Sequence, residues 1–242
     1  MDRQDRTAQF TRALIELRSL VLEGEFDAGT RLPETALAER LGLSRTPLRQ
    51  AMDRLVDEGL LERSDTGRCH VARFSLDDIK DAIEVRGMLE GTAARIAAER
   101  GMVPERAARI DEVLAALDQA VGPDHLDFKA YVPLNEEFHD LLSRLAGSTI
   151  LAREVERANR LPVASPSAFL QGQELIPYFR ESLAHAQRQH RALFEAIRNR
   201  EGARAEALAR EHARLARSNL EYVMTERPSL AREVPGLSLV AV

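Results

Sequence analysis

The residues in this 242-residue chain best suited to chemistry are a few histidines and a few placed arginines. Six histidines occur. Asn135 and His139 stand four apart in LNEEFHDLL, so on a helix their side chains share one face. His190 lies in QRQHRALFEAIRNREG about ten residues before a turn at 199–202, and His212 lies in REHARLARSNLEY about ten after it. If the two segments form an antiparallel helix hairpin, these imidazoles stand level. With a third from a neighbouring helix they can close round one metal ion. The same spacing also describes core histidines that merely find hydrogen-bond partners, which is the commoner arrangement. His185, five residues before His190, falls about 140° round the helix and belongs to a different face. A second group, Arg45, Thr46, Arg49 and Gln50, lies opposite the apolar positions Leu48, Met52, Leu55 and Val56. An arginine fork there can bond guanine O6 and N7, and a helix N-terminus favours phosphate oxygens.

The elements that must position these groups are legible from periodicity. Phe10, Leu14, Leu17 and Val21 form one helical stripe, closed by Gly24 and Asp27-Ala28-Gly29. A short helix is expected over 34–41, with Gly42 making the turn. Ser44 stands where an N-cap belongs, its hydroxyl able to accept from an orphan amide, and Pro47 falls in the first turn of the helix that follows, over 45–58. Leu60 to Arg63, the turn Asp65-Thr66-Gly67 and Cys69 to Ala72 read as a small hairpin, in which Cys69 is a packing residue rather than a redox switch. Ser75 and Asp78 form a capping box opening a helix over 76–100, with Ile79, Ile83, Met88-Leu89, Ala93-Ala94 and Ile96-Ala97 as its inner stripe. Further helices are expected over 104–121, 126–146, 149–160, 174–200 and 203–225, with loops at Gly122-Pro123 and at 161–171. The fold class is therefore mainly α, with an N-terminal winged helix-turn-helix over 1–74, an all-helical bundle over 75–230, and a C-terminal tail over 231–242.

Composition narrows the function classes. Low aromatic content and abundant Ala, Leu, Arg and Glu favour helix over sheet. The first ten residues have no apolar signal core, and no stretch approaches a membrane span. A single cysteine, Cys69, excludes an intramolecular disulfide, so a cytoplasmic location is expected. Net charge is −5, residues 1–74 hold 12 Arg against 13 Asp and Glu, and Lys80 and Lys129 are the only lysines. Any contact with nucleic acid must come from placed arginines, because there is no basic field.

The run RLPETALAERLGLSRTPLRQAMDRLVDEGLLERSDTGRCHV closely resembles the DNA-binding domain of the GntR family of bacterial regulators. The resemblance implies base or phosphate contact by Arg45 and Arg49, support from Thr46, and a wing-tip contact near Gly67; where some members carry an arginine in the second helix, this chain has Thr35. DDIKDAIEVRGMLEGTAARIAAER, LNEEFHDLL, QHRALFEAI and REHARL, in that order, resemble the FCD effector domain of the FadR-like subfamily. Many such domains hold a divalent metal through one acidic or amide residue and three histidines, positions that match Asn135, His139, His190 and His212, with Asn in place of the commoner Asp. Zinc is the first expectation for the ion, with nickel or manganese as alternatives. Arg86 matches a position that often lines the effector pocket, where its fork suits a carboxylate; pairing with Glu84 or Glu90 along the helix is the competing role. The apolar loop RLPVASPSAF could roof that pocket.

The resulting expectation is a DNA-binding transcription regulator, not an enzyme, controlled by a small carboxylate bound beside a metal. It would act as a homodimer on a palindromic operator, because one helix-turn-helix reads one half-site. Two other readings use the same histidines: a metal sensor without organic effector, and a metal-dependent hydrolase. The hydrolase lacks an evident general base beyond Glu136 and Glu137, which flank His139 on other faces.

Overall fold

A computed structural model describes residues 3–122, 125–160, 164–166, 177–226 and 237–240. The chain is mainly α-helical, with one two-stranded antiparallel ribbon among the described residues. The described residues fall into two units: 3–79 with Arg160 and 237–240, and 80–159 with 164–166 and 177–226.

In the first unit, α1 (Arg3–Leu22), α2 (Glu34–Leu41) and α3 (Arg45–Asp57) are followed by β1 (Leu61–Arg63) and β2 (Cys69–Val71). Leu17 and Val21 of the expected stripe are fully buried against Leu48, Met52 and Leu55 of α3. Gly42 ends α2 at φ +62°, a left-handed conformation that a side chain would strain, and Leu43 N–H closes the turn on Ala38 O at 3.0 Å. Ser44 occupies the N-cap of α3, but its side chain makes no cap hydrogen bond. Pro47, three residues on, removes one of the two amides such a cap can use, because proline has no N–H. The ribbon pairs Leu61 with Val71 and Arg63 with Cys69, which puts Leu61, Cys69 and Val71 into the same core.

Of the expected C-terminal tail over 231–242, the described residues 237–240 contribute to this core. Leu239 is fully buried among the first unit's apolar side chains, Phe74 N–H donates to Leu239 O at 3.0 Å, and Phe74 bridges Val240 in parallel.

The second unit is a bundle of α4 (Leu76–Arg100, whose first turn belongs to the other unit), α5 (Pro104–Ala120), α6 (Phe128–Arg144), α7 (Thr149–Asn159), α8 (Pro177–Arg198) and α9 (Gly202–Glu226). The capping box that opens α4 is formed: Asp78 N–H donates to Ser75 Oγ at 3.1 Å and Ser75 N–H to Asp78 Oδ2 at 2.7 Å. The inner stripe of α4 differs from the expected one in its middle. Met88 is half exposed, and Arg86 and Glu90 face inward instead, because the run Ile79, Ile83, Arg86, Glu90, Ala94, Ala97 keeps the helical repeat. Gly87 and Gly91 flank this polar step. A Cβ at Gly87 would stand 2.8 Å from Ala213 Cβ and one at Gly91 would stand 3.0 Å from Glu206 O, so their absence lets α4 lie directly on α9. That close approach carries Arg86 and Glu90 into the bundle interior.

Candidate functional site

In the first unit, Arg45, Thr46, Arg49 and Gln50 are all exposed on the N-terminal half of α3. Arg49 does not wave freely: its guanidinium forks onto Glu34 of α2, with Nη2 at 2.8 Å and Nε at 3.1 Å from Oε2. Gly67 sits at the exposed tip of the ribbon turn with φ +74° and open space around it. Arg63, which sequence reasoning passed over, joins wing and helix. It donates to Gly67 O at 2.8 Å and pairs with Asp53 of α3. The Cys69 thiol is buried, and burial pushes its pKa up, which suits a packing residue.

In the second unit the hairpin of α8 and α9 sets His190 and His212 level, and α6 brings His139 to them. His190 Nε2 lies 3.0 Å from His212 Nε2, which lies 3.3 Å from His139 Nε2. All three side chains are buried. Each Nδ1 faces an oxygen: His139 on Glu90 Oε1 at 3.1 Å, His190 on Gln187 Oε1 at 3.1 Å, His212 on Gln189 Oε1 at 3.0 Å. The glutamine amides cannot be turned round without loss. Gln187 Nε2 already donates to Leu114 O at 3.2 Å and Asp118 Oδ1 at 2.6 Å, and Gln189 Nε2 donates to Glu211 Oε1 at 3.3 Å. An oxygen that only accepts requires a proton on Nδ1, so the inward Nε2 atoms carry lone pairs.

Burial, and then the neighbouring imidazoles, hold His190 and His212 well below the ordinary histidine value, which keeps both neutral. The facing lone pairs of neutral His190 and His212 repel unless a cation lies between them. Two nitrogens each 2.0–2.1 Å from one tetrahedral ion stand roughly 3.3 Å apart, close to the separations seen. The imidazoles therefore fit a divalent metal.

Around this cluster the expected residues fall into place unequally. Asn135 is buried on the same face of α6 as His139 and lines the same cavity, where its Oδ1 accepts from Tyr131 Oη at 3.4 Å and its Nδ2 donates to Pro166 O at 3.4 Å. Arg86, 2% exposed, also lines the cavity. Its Nη1 stands 3.8 Å from Glu90 Oε1, and neither Nε nor Nη1 has a hydrogen-bond partner. Burial pushes the Glu90 carboxyl up, but His139 and Arg86 beside it outweigh that and hold it at about 2. Glu90 is thus an anion with one oxygen on His139 and the other unpartnered. Of the loop proposed as a roof, Pro166 lines the cavity, while 161–163 and 167–171 lie outside the described residues. His185 is exposed.

Glu90, Gln187 and Gln189 were not identified from sequence. Gln187 at three residues before His190 was a readable signal on one helix face, whereas Glu90 is 49 residues from His139 and only the packing of α4 reveals it. The flanking glutamates do not serve as a base. Glu136 is exposed, and Glu137 is held by Arg109 at 2.6 Å.

The FCD domain family matches residues 81–215, and the family described as bacterial regulatory proteins, gntR family, matches residues 11–71. An uncharacterized HTH-type transcriptional regulator of Bacillus subtilis, YdhC, is 26% identical over 214 residues, covering 87% of this chain and 90% of that protein. The Glc operon transcriptional activator of Escherichia coli K12 is 25% identical over 241 residues, covering 92% and 93%. The solved structure of E. coli McbR/YncC has the same fold, with a TM-score of 0.60 at 22% identity, covering 90% of this chain and 98% of that one.

Proposed function

The chain belongs to the GntR family of bacterial transcription regulators, in the FadR-like branch that carries an FCD domain, and from that premise we propose that it is a metal-loaded regulator whose operator affinity is set by a small organic acid. Residues 1–74 read DNA and 75–230 bind effector and pair two chains. The carrying observation is the juxtaposition of three inward imidazole Nε2 atoms with a buried arginine whose Nε and Nη1 have no hydrogen-bond partner.

His139, His190 and His212 would hold the ion, with Asn135 as an amide-oxygen ligand beside them. Zinc suits an all-nitrogen set with one oxygen, and nickel or manganese are the alternatives. When bound, the ion supplies positive charge in a water-poor pocket. Arg86 supplies the fork. Leaving its buried N–H groups unsatisfied costs about 1–3 kcal/mol, and a carboxylate reaching either the Nε edge or the Nη1 end of the guanidinium would recover part of that cost. Glu90 fixes the tautomer of His139 and partly neutralises Arg86, so the pocket accepts one anionic head. An organic anion is favoured over a metal-only sensor because a sensor has no use for a buried guanidinium whose Nε and Nη1 make no hydrogen bond.

On the DNA side, Arg45 and Arg49 would reach base edges or phosphates, Thr46 would support them, and the backbone at Gly67 would touch the adjacent groove. Glu34 holds the Arg49 fork in place, which lowers the entropy lost on docking. Two-fold pairing is supported by Val85 and Met88, one turn apart on α4, which are 47% and 50% exposed. Large apolar side chains at i and i+3 on an outer face are what a helix-to-helix interface would cover. The homodimer would then match a palindromic operator.

The test is fluorescence anisotropy on a DNA fragment selected in vitro for tight binding to the zinc-loaded protein. A small aliphatic carboxylate should shift the affinity for that fragment. No shift with any acid, together with a shift on metal removal alone, would replace this reading by the metal sensor.

A further inference from the structure

The cavity beside the histidines has a second polar end. On α9 its wall runs His212, Leu215, Ala216, Asn219, which is two helical turns and about 10 Å along the axis. On α8, Ser182 lies level with Asn219 and donates from Oγ to Asn219 Oδ1 at 3.1 Å. Between the two ends α8 contributes Leu183 and Ala186. The cavity is therefore a short slot with histidines and Arg86 towards one end, an apolar middle, and a neutral hydroxyl–amide pair at the other.

Resting on the reading proposed above, we infer that the effector is a short unbranched monocarboxylate carrying a neutral hydroxyl at its far end, which Ser182 and Asn219 recognise. Their mutual bond leaves the Asn219 amide N–H groups to donate and a Ser182 lone pair to accept, the complement that a hydroxyl, being both donor and acceptor, satisfies. Arg86 is the one arginine among the lining residues, and there is no lysine. A second carboxylate at the Ser182 end would be desolvated without a cation, which is costly. Length follows from the helix. Subtracting a contact distance of about 2.5–3 Å at each end from the roughly 10 Å span leaves about 5 Å between the polar groups of the ligand, the reach of three methylenes.

The experiment is isothermal calorimetry of butyrate, 4-hydroxybutyrate and succinate on the zinc-loaded full chain, its Ser182→Ala and its Asn219→Leu variants. Wild type should bind 4-hydroxybutyrate about five-fold more tightly than butyrate, the worth of one net hydrogen bond, and succinate more weakly than 4-hydroxybutyrate. Both variants should bind the two monocarboxylates equally while keeping the butyrate affinity. Equal binding of butyrate and 4-hydroxybutyrate by wild type overturns the inference and leaves the metal–carboxylate reading standing. So does a preference that survives in Ser182→Ala, should Asn219→Leu fail to fold. Binding of none of the three acids overturns both.

Discussion

Glu90 Oε1 accepts from His139 Nδ1 at 3.1 Å, although the two residues are 49 apart in sequence and come from different helices. That one contact links Arg86, through the Arg86–Glu90 pair, to the histidine cluster. Glu90→Gln keeps an accepting oxygen but removes the charge. Loss of such a supporting partner typically lowers metal affinity 10- to 100-fold; Glu90→Gln should fall near the lower bound and Glu90→Ala near the upper. Zinc titration with a competing chelator dye reads the difference, and unchanged affinity in Glu90→Ala would remove Glu90 from the site.

In the proposed site Asn135 would set the charge balance. Three neutral imidazoles and an amide leave a divalent ion its full +2, whereas a carboxylate would leave +1. Asn135→Asp should therefore bind zinc more tightly and butyrate more weakly, and His190→Ala should lose both. Calorimetry of metal and acid on each variant checks the pair of signs.

On the DNA side, Arg49→Ala should weaken binding to the selected fragment roughly 5- to 150-fold, the worth of a bidentate base contact, with helical content unchanged. Glu34→Ala leaves the guanidinium in place but unanchored, so its loss should be smaller. Gel-shift titrations at one fixed salt concentration compare them, and equal affinity for all three proteins would exclude Arg49 from base recognition.

The Val85 and Met88 face should carry the pairing of chains. Val85→Glu with Met88→Glu places two like charges at the centre of a two-fold interface, and sedimentation at micromolar concentration should then find a monomer where wild type is a dimer. A wild-type monomer, free and on DNA, would refute the dimer itself.

Leu239→Ala should destabilise the first unit by about 2 to 5 kcal/mol, the usual cost of emptying a buried leucine site. Chemical denaturation followed through the helical signal measures it. A loss below a few tenths of a kcal/mol would mean that the C-terminal segment is dispensable to that core.

Much of this molecule was legible in its sequence because helical periodicity and hairpin arithmetic are local. The turn at 199–202 by itself places His190 opposite His212, and Ser75 with Asp78 marks the start of α4. What was not legible depended on packing between distant segments. Met88 reads in sequence as a core residue, and Arg86 as either a pocket residue or one paired along its helix; the approach of α4 to α9 at Gly87 and Gly91 fixes which side faces inward. Ser44 stands at the cap of α3 without a side-chain bond, and Pro47 leaves it only the Thr46 amide to accept from. The burial of Leu239 could not be read from an apolar run so short and so far along the chain from its partner Phe74.

The most direct test of the account is calorimetry of butyrate binding to the same protein in zinc-loaded and metal-stripped forms, with Arg86→Met in parallel. If the ion and Arg86 together hold the carboxylate, the loaded wild type binds, the stripped protein binds at least tenfold more weakly, and Arg86→Met loses affinity with its zinc content intact. Equal affinity in the loaded and stripped proteins would make the metal purely structural and contradict the account.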